Sequence, residues 1–139
     1  MCANLRRASR ALTQLYEDAL RPLGLRATQF TVLQALSLAG EVTQGVLGQI
    51  LAMDSTTLTR TLDIMERRGW IAKRRGKDRR EWRIRLSKPG QAQVQRALPA
   101  WRSVQHRLHI QLGNEVWETL FNVTNQVTRK LAGEGEKSS

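Results

Sequence analysis

Residues Asp54 to Leu86 read DSTTLTRTLDIMERRGWIAKRRGKDRREWRIRL, and two periodicities divide them. From Ser55 to Arg68, Leu58, Leu62 and Met65 recur at the spacing of one side of an α-helix. Thr56, Thr59, Arg60, Asp63 and Arg67 fall on the other side, each able to hydrogen-bond outward. Gly69 follows a last basic turn and stops the helix. From Trp82 to Leu86 the period is two. Trp82, Ile84 and Leu86 face one way and Arg83 and Arg85 the other, as in a half-buried strand. Trp70 to Arg74 is its expected antiparallel partner, across the charged turn Arg75-Gly76-Lys77-Asp78-Arg79.

A polar-faced helix followed by a basic hairpin suits a nucleic acid. The helix fits a major groove, and the hairpin reaches the adjacent backbone or minor groove. Upstream, Thr43 to Leu51 (TQGVLGQIL) carries Val46, Leu47, Ile50 and Leu51 as the apolar residues of a preceding helix, with Thr43 as its cap. Ala52-Met53-Asp54 has the length of the turn in a helix-turn-helix. The expected fold is mainly α: a winged helix-turn-helix over about residues 28–87, with a small antiparallel β-hairpin wing.

Charge agrees with this reading. The 139 residues hold 23 Lys and Arg against 12 Asp and Glu, a formal charge of +11. Residues 67–85 contain ten basic side chains against Asp78 and Glu81, so +8 of the +11 lies in this short stretch. A surplus concentrated on a hairpin is the footprint of a polyanion partner; the plain alternative is a solvated charged loop. The lone Cys2 excludes an internal disulfide framework. No apolar run approaches the roughly 18 residues needed to cross a bilayer, and no signal peptide is visible. A cytoplasmic protein with no membrane partner is expected.

Helices flank the central unit. Asn4 to Leu20 carries Leu5, Ala8, Leu12, Leu15, Tyr16 and Ala19 on one stripe and ends at Pro22 and Gly24. Thr28 is the expected cap of a helix from Gln29 to Ala39, with Phe30, Val32, Leu33 and Leu36 in its core. Ser87 caps a long helical run in which Pro99 is expected to kink or split the chain, and Gly113-Asn114 marks a break. A last helix spans about Glu115 to Leu131, and residues 132–139 read as a disordered tail. The stripes of the outer helices, about residues 4–22 and 88–131, exceed what one small winged unit can cover, so a second copy of the chain is the simplest cover.

The run LTRTLDIMERRGWI…DRREWRIRLS, with Asp78-Arg79-Arg80 ahead of a strand and Leu86-Ser87, resembles the MarR family of bacterial transcription regulators, and the resemblance covers about residues 4–131. It implies a single domain in which first and last helices interleave as a homodimer. It also implies binding to a pseudo-palindromic operator in double-stranded DNA, and release by a small aromatic or phenolic effector held in an aromatic-lined crevice. In the family the acidic wing residue, here Asp78, orients the arginine two positions on, here Arg80, and an arginine of the pair Arg79 and Arg80 enters the minor groove.

Candidate DNA contacts follow from both lines of reading. Thr43, Ser55, Thr56 and Thr57 lie at helix N-termini, where free amides favour phosphate. Thr59 and Arg60 lie a turn further in, where arginine can read guanine and a threonine methyl can touch thymine. Surface filler is the plain alternative for the threonines, and Ser55 has an alternative as a cap. On the wing, Arg74, Arg75, Lys77, Arg79 and Arg80 are candidates, with Asp78 as orienting carboxylate and Trp82 as expected hairpin core. His106 and His109 stand three apart on a helix, but no cysteine or carboxylate completes a metal set. No metal and no cofactor is expected.

Cys2 lies fourteen residues before Tyr16, a spacing similar to the peroxide-sensing OhrR branch of the family. Arg6 stands where that branch has a second tyrosine, so the sensing site is incomplete. The alternatives to an effector-released repressor are a thiol-based sensor using Cys2 and a non-specific architectural nucleic-acid-binding protein. Paired catalytic carboxylates, a Ser-His-Asp set and a phosphate-cradling glycine loop are all missing from the sequence, so no enzyme is expected.

Overall fold

The computed structural model describes residues 1–135. The chain divides into two compact units, Met1–Trp101 and a second beginning at Arg102. Among the described residues five helices and three strands follow in order: α1 (Cys2–Leu20), α2 (Ala27–Ala39), β1 (Val42–Thr43), α3 (Gln44–Leu51), α4 (Ser55–Arg67), β2 (Ile71–Arg75), β3 (Trp82–Leu86) and α5 (Lys88–Gly135), with one 3-10 turn at Arg21–Leu23. No helix among the described residues is long and apolar enough to cross a membrane.

The helix-turn-helix forms because its apolar positions share one core. Leu47 of α3 and Leu58, Leu62 and Met65 of α4 are buried to 1% exposure or less, and Phe30, Val32, Leu33 and Leu36 of α2 to 3% or less. Each such side chain contributes roughly 1.5–3 kcal/mol of burial. Val46 and Ile50, expected beside Leu47, are instead 43% and 53% exposed. An eight-residue helix packed edge-on between two others covers only one of its sides. The turn is closed by Ala52 in the left-handed region (φ 51°), with Met53 N donating to Gly48 O at 3.1 Å.

The wing is one side of a three-stranded antiparallel sheet in the order β1-β3-β2. β1 pairs Val42 with Ile84 and Thr43 with Arg83, while β2 runs from Ile71 opposite Leu86 to Arg75 opposite Trp82. Two residues carry no period, so β1 left no mark in the sequence. The sheet is pinned to α5 at Gly90: a Cβ there would stand 1.9 Å from Trp70 O. Ser87, the expected cap, accepts from Gly90 N at 3.1 Å and donates from its own amide to Trp70 O at 3.1 Å.

Three boundaries differ from expectation. Helix α2 begins at Ala27 rather than after Thr28, because Glu17 of α1 accepts from the Ala27 amide at 3.0 Å and supplies the cap from a distant element. Pro99 does not split α5, whose backbone stays helical there. Pro99 and Gln95, whose carbonyl loses its donor, are both exposed, so water can replace the missing bond. The break falls at Gly113 (φ 77°, ψ 160°), which a side chain adopts only at a cost. Helix α5 then runs to Gly135, so residues 132–135 of the expected tail are helical, and residues 136–139 lie outside the described residues.

Candidate nucleic-acid interface

Two helix starts and the wing tip enclose a groove of about 670 Å³, lined in part by Thr43, Gln44, Ser55, Asp78, Arg80 and Trp82. Each element places its residues for a local reason. Thr43 caps α3, its Oγ1 accepting from Val46 N at 3.1 Å. The cap of α4 is Asp54, so Ser55 is not the cap that its alternative reading made it: Asp54 Oδ1 accepts from Thr57 N at 2.8 Å and Oδ2 from the Thr57 hydroxyl at 2.8 Å. Aspartate is among the strongest N-cap residues because its carboxylate also meets the positive end of the helix. These bonds, that from the Thr57 amide first, hold the Asp54 carboxyl below the usual carboxylate range.

The capping commits Thr57 and leaves Ser55, Thr56 and Arg60 exposed without a side-chain hydrogen bond among the described residues. Thr59 is exposed as well, and its Oγ1 accepts from Gln44 Nε2 at 2.9 Å, tying α3 to the outer face of α4. Asp63, on the same face, accepts from Lys73 Nζ at 2.7 Å. The Lys73 ammonium beside it holds its carboxyl below the usual range. This pair ties α4 to β2.

Of the wing cations, Arg74 is held by Glu41, with Nε at 2.6 Å and Nη2 at 2.9 Å from its two carboxylate oxygens. Arg74 bonded to it keeps Glu41 below the usual carboxylate range, and the same bond raises Arg74. Arg75 lies over the Trp82 ring and donates to the Arg79 carbonyl. Lys77, Arg79 and Arg80 are exposed, with no side-chain partner among the described residues. Asp78 accepts from the backbone amide of Arg80 at 3.0 Å rather than from the guanidinium the resemblance implied. It shapes the turn, and the Arg80 side chain stays unoccupied. Trp82 is 37% exposed, a groove wall and a seat for Arg75 instead of hairpin core, because it stands at the end of β3 next to the turn.

The remaining candidates are not gathered here. Cys2 is exposed at the start of α1 and Tyr16 lies near its far end, about 21 Å along the axis at 1.5 Å per residue. One chain therefore does not bring the pair together. Tyr16 packs half-buried on the core, and burial raises its pKa. In the second unit, the His109 ring stands 4.2 Å from that of Trp117 across the Gly113 break. Three positioning residues escaped the sequence reading. Asp54 had a legible signal, an acidic residue directly before a helix; Glu41 and Gln44 had none.

A profile of the MarR family matches residues 23–81, from the end of the 3-10 turn through the wing tip. An uncharacterised HTH-type transcriptional regulator of Bacillus subtilis, YwoH, is 32% identical over 84 residues, covering 60% of this chain. The match spans 61% of that relative's own length. The M. tuberculosis transcriptional regulator MosR, solved in complex with DNA, is 37% identical with a TM-score of 0.81, over 93% of this chain and 96% of that one. MarR from E. coli, solved with operator DNA, has a TM-score of 0.82 at 24% identity over 90% and 91% of the two chains, a likeness of fold. This chain belongs to the MarR family.

Proposed function

We propose that the chain is a sequence-specific regulator of transcription that binds double-stranded DNA as a homodimer. The observation that carries this is a groove between the two helix starts and the wing tip that takes in Ser55 and Arg80, together with the exposed face of α4 on which Ser55, Thr56 and Arg60 have no side-chain partner among the described residues. α4 enters the major groove, with Arg60 and Thr59 against base edges and Thr43, Ser55 and Thr56 near phosphates. Arg79 and Arg80 reach the minor groove and Lys77 the backbone. Thr57, Arg74, Arg75 and Asp78 position these groups. The M. tuberculosis and E. coli proteins solved with DNA support the same use of the fold.

Dimerisation is favoured by apolar side chains left outside: Leu5 on α1, and Ile110, Phe121 and Leu131 on α5, the last three more than 60% exposed. A two-fold dimer presents two α4 helices to half-sites about one helical turn, roughly 34 Å, apart. A small aromatic or phenolic effector that changes this spacing releases the DNA, as the family resemblance implies. The reading is tested by titrating the protein against its own upstream DNA and against random duplex at fixed salt, with sedimentation of the free protein. An operator preference of 10³-fold or more and a mass about twice 15.8 kDa are expected. Equal affinity for both duplexes indicates an architectural protein, and a monomer removes the half-site argument.

A further inference from the structure

Glu41 sits in the loop between α2 and β1, outside the stretch that carries the charge surplus. Its carboxylate nonetheless takes two wing cations: Arg74 bidentately, and Arg83 with Nε at 3.7 Å. Arg74 and Arg83 stand directly opposite each other on β2 and β3. Arg74 is more than half exposed even when paired. Ion pairs at such exposure add little to folding, so stability gives weak grounds for the arrangement. Its larger consequence is for what the wing offers a polyanion. Phosphate contacts carry no sequence information, and each cation that neutralises a phosphate tightens binding to every sequence alike. Among the described residues the wing leaves Lys77, Arg79 and Arg80 available at its tip and ties Arg74 and Arg83 in its strands.

We propose that Glu41 is a specificity-determining residue: by holding Arg74 and Arg83 away from phosphate it limits sequence-independent binding and confines the wing's contacts to its tip. The inference rests on the DNA-binding reading above. Removing the carboxylate frees two arginines, and random DNA gains more than the operator because the operator complex already has its contacts fixed by α4.

The test is binding of random duplex and upstream DNA across a salt series by wild type, Glu41→Gln, and the triple variant Glu41→Gln with Arg74→Gln and Arg83→Gln. Glu66→Gln, which removes the same charge from an exposed carboxylate without an ion pair among the described residues, is the control. Glu41→Gln is expected to bind random DNA several-fold tighter and to steepen the slope of log K against log salt by about one to two, at roughly 0.9 per phosphate neutralised. The operator preference then falls. The triple variant should return to the wild-type slope, and Glu66→Gln should leave it unchanged. An unchanged slope in Glu41→Gln, or a steeper slope that persists in the triple variant, overturns the inference while leaving the DNA-binding reading standing. Wild type that binds neither duplex overturns both. Melting curves of the variants separate these outcomes from a wing that has come apart.

Discussion

The guanidinium of Arg75 lies over the ring of Trp82, 4.1 Å from its centroid, and the two residues are direct partners across the β2–β3 ladder. The pair closes the hairpin at its turn end, as the last rung before residues 76–81. A cation over an exposed indole contributes about 0.5–1 kcal/mol. Trp82→Ala should therefore loosen the wing tip and weaken DNA binding about two- to fivefold on operator and random duplex alike, while Trp82→Phe keeps most of the affinity. Fluorescence anisotropy with labelled duplexes checks this; a Trp82→Ala protein that binds as wild type would show that the pair does not order the tip.

Arg60 separates reading from positioning. It stands exposed on the side of α4 opposite Leu58, Leu62 and Met65, with no partner in the protein among the described residues. Arg60→Ala is expected to cost about 1–3 kcal/mol on the operator and less on random DNA. Equal losses on every sequence would move base recognition elsewhere.

The wing cations should divide by occupancy. Lys77 has no partner at the tip among the described residues, so Lys77→Ala should flatten the salt dependence by about 0.9 in slope and weaken both duplexes similarly. Arg74 is already neutralised by Glu41, so Arg74→Ala should leave that slope near its wild-type value. Measuring both variants across a salt series decides the matter, and a flattened slope in Arg74→Ala would place that residue on DNA.

Asp54 links the interface to pH. Its folded-state carboxyl is held below the ordinary range by the Thr57 amide and hydroxyl. A group depressed in this way stabilises the fold above its unfolded value, and that stability is lost as pH falls through the folded value. Asp54→Asn keeps an acceptor for the Thr57 amide and removes the titration. It should melt near wild type at neutral pH and lose less stability as pH falls below the ordinary aspartate value of about 3.9. Melting temperatures over that range give the answer; parallel acid limbs in the two proteins would exclude Asp54 as a contributor.

Much of the fold was legible because its elements are periodic. Leu58, Leu62 and Met65 announce α4, the alternation from Trp82 to Leu86 announces β3, and the helix-turn-helix lengths follow from Thr43 and the turn Ala52-Met53-Asp54. Elements defined by partners rather than by period were not. β1 is two residues held by β3, and the start of α2 is set by Glu17 from another helix. Val46 and Ile50 look like core in sequence and are exposed, because apolar identity says nothing about which side of a short helix meets a neighbour.

The sequence by itself determined where the charge lies, which helix has a polar face, and that a basic hairpin follows it, since these depend on residue type and spacing along one element. Only the tertiary structure decided which of the cations are free. Arg74, Arg75, Lys77, Arg79 and Arg80 are chemically alike in sequence, yet Glu41 occupies the first, Trp82 seats the second, and the other three remain open. An ion pair depends on distances of a few ångströms between side chains far apart in the chain, and local pattern does not encode those distances.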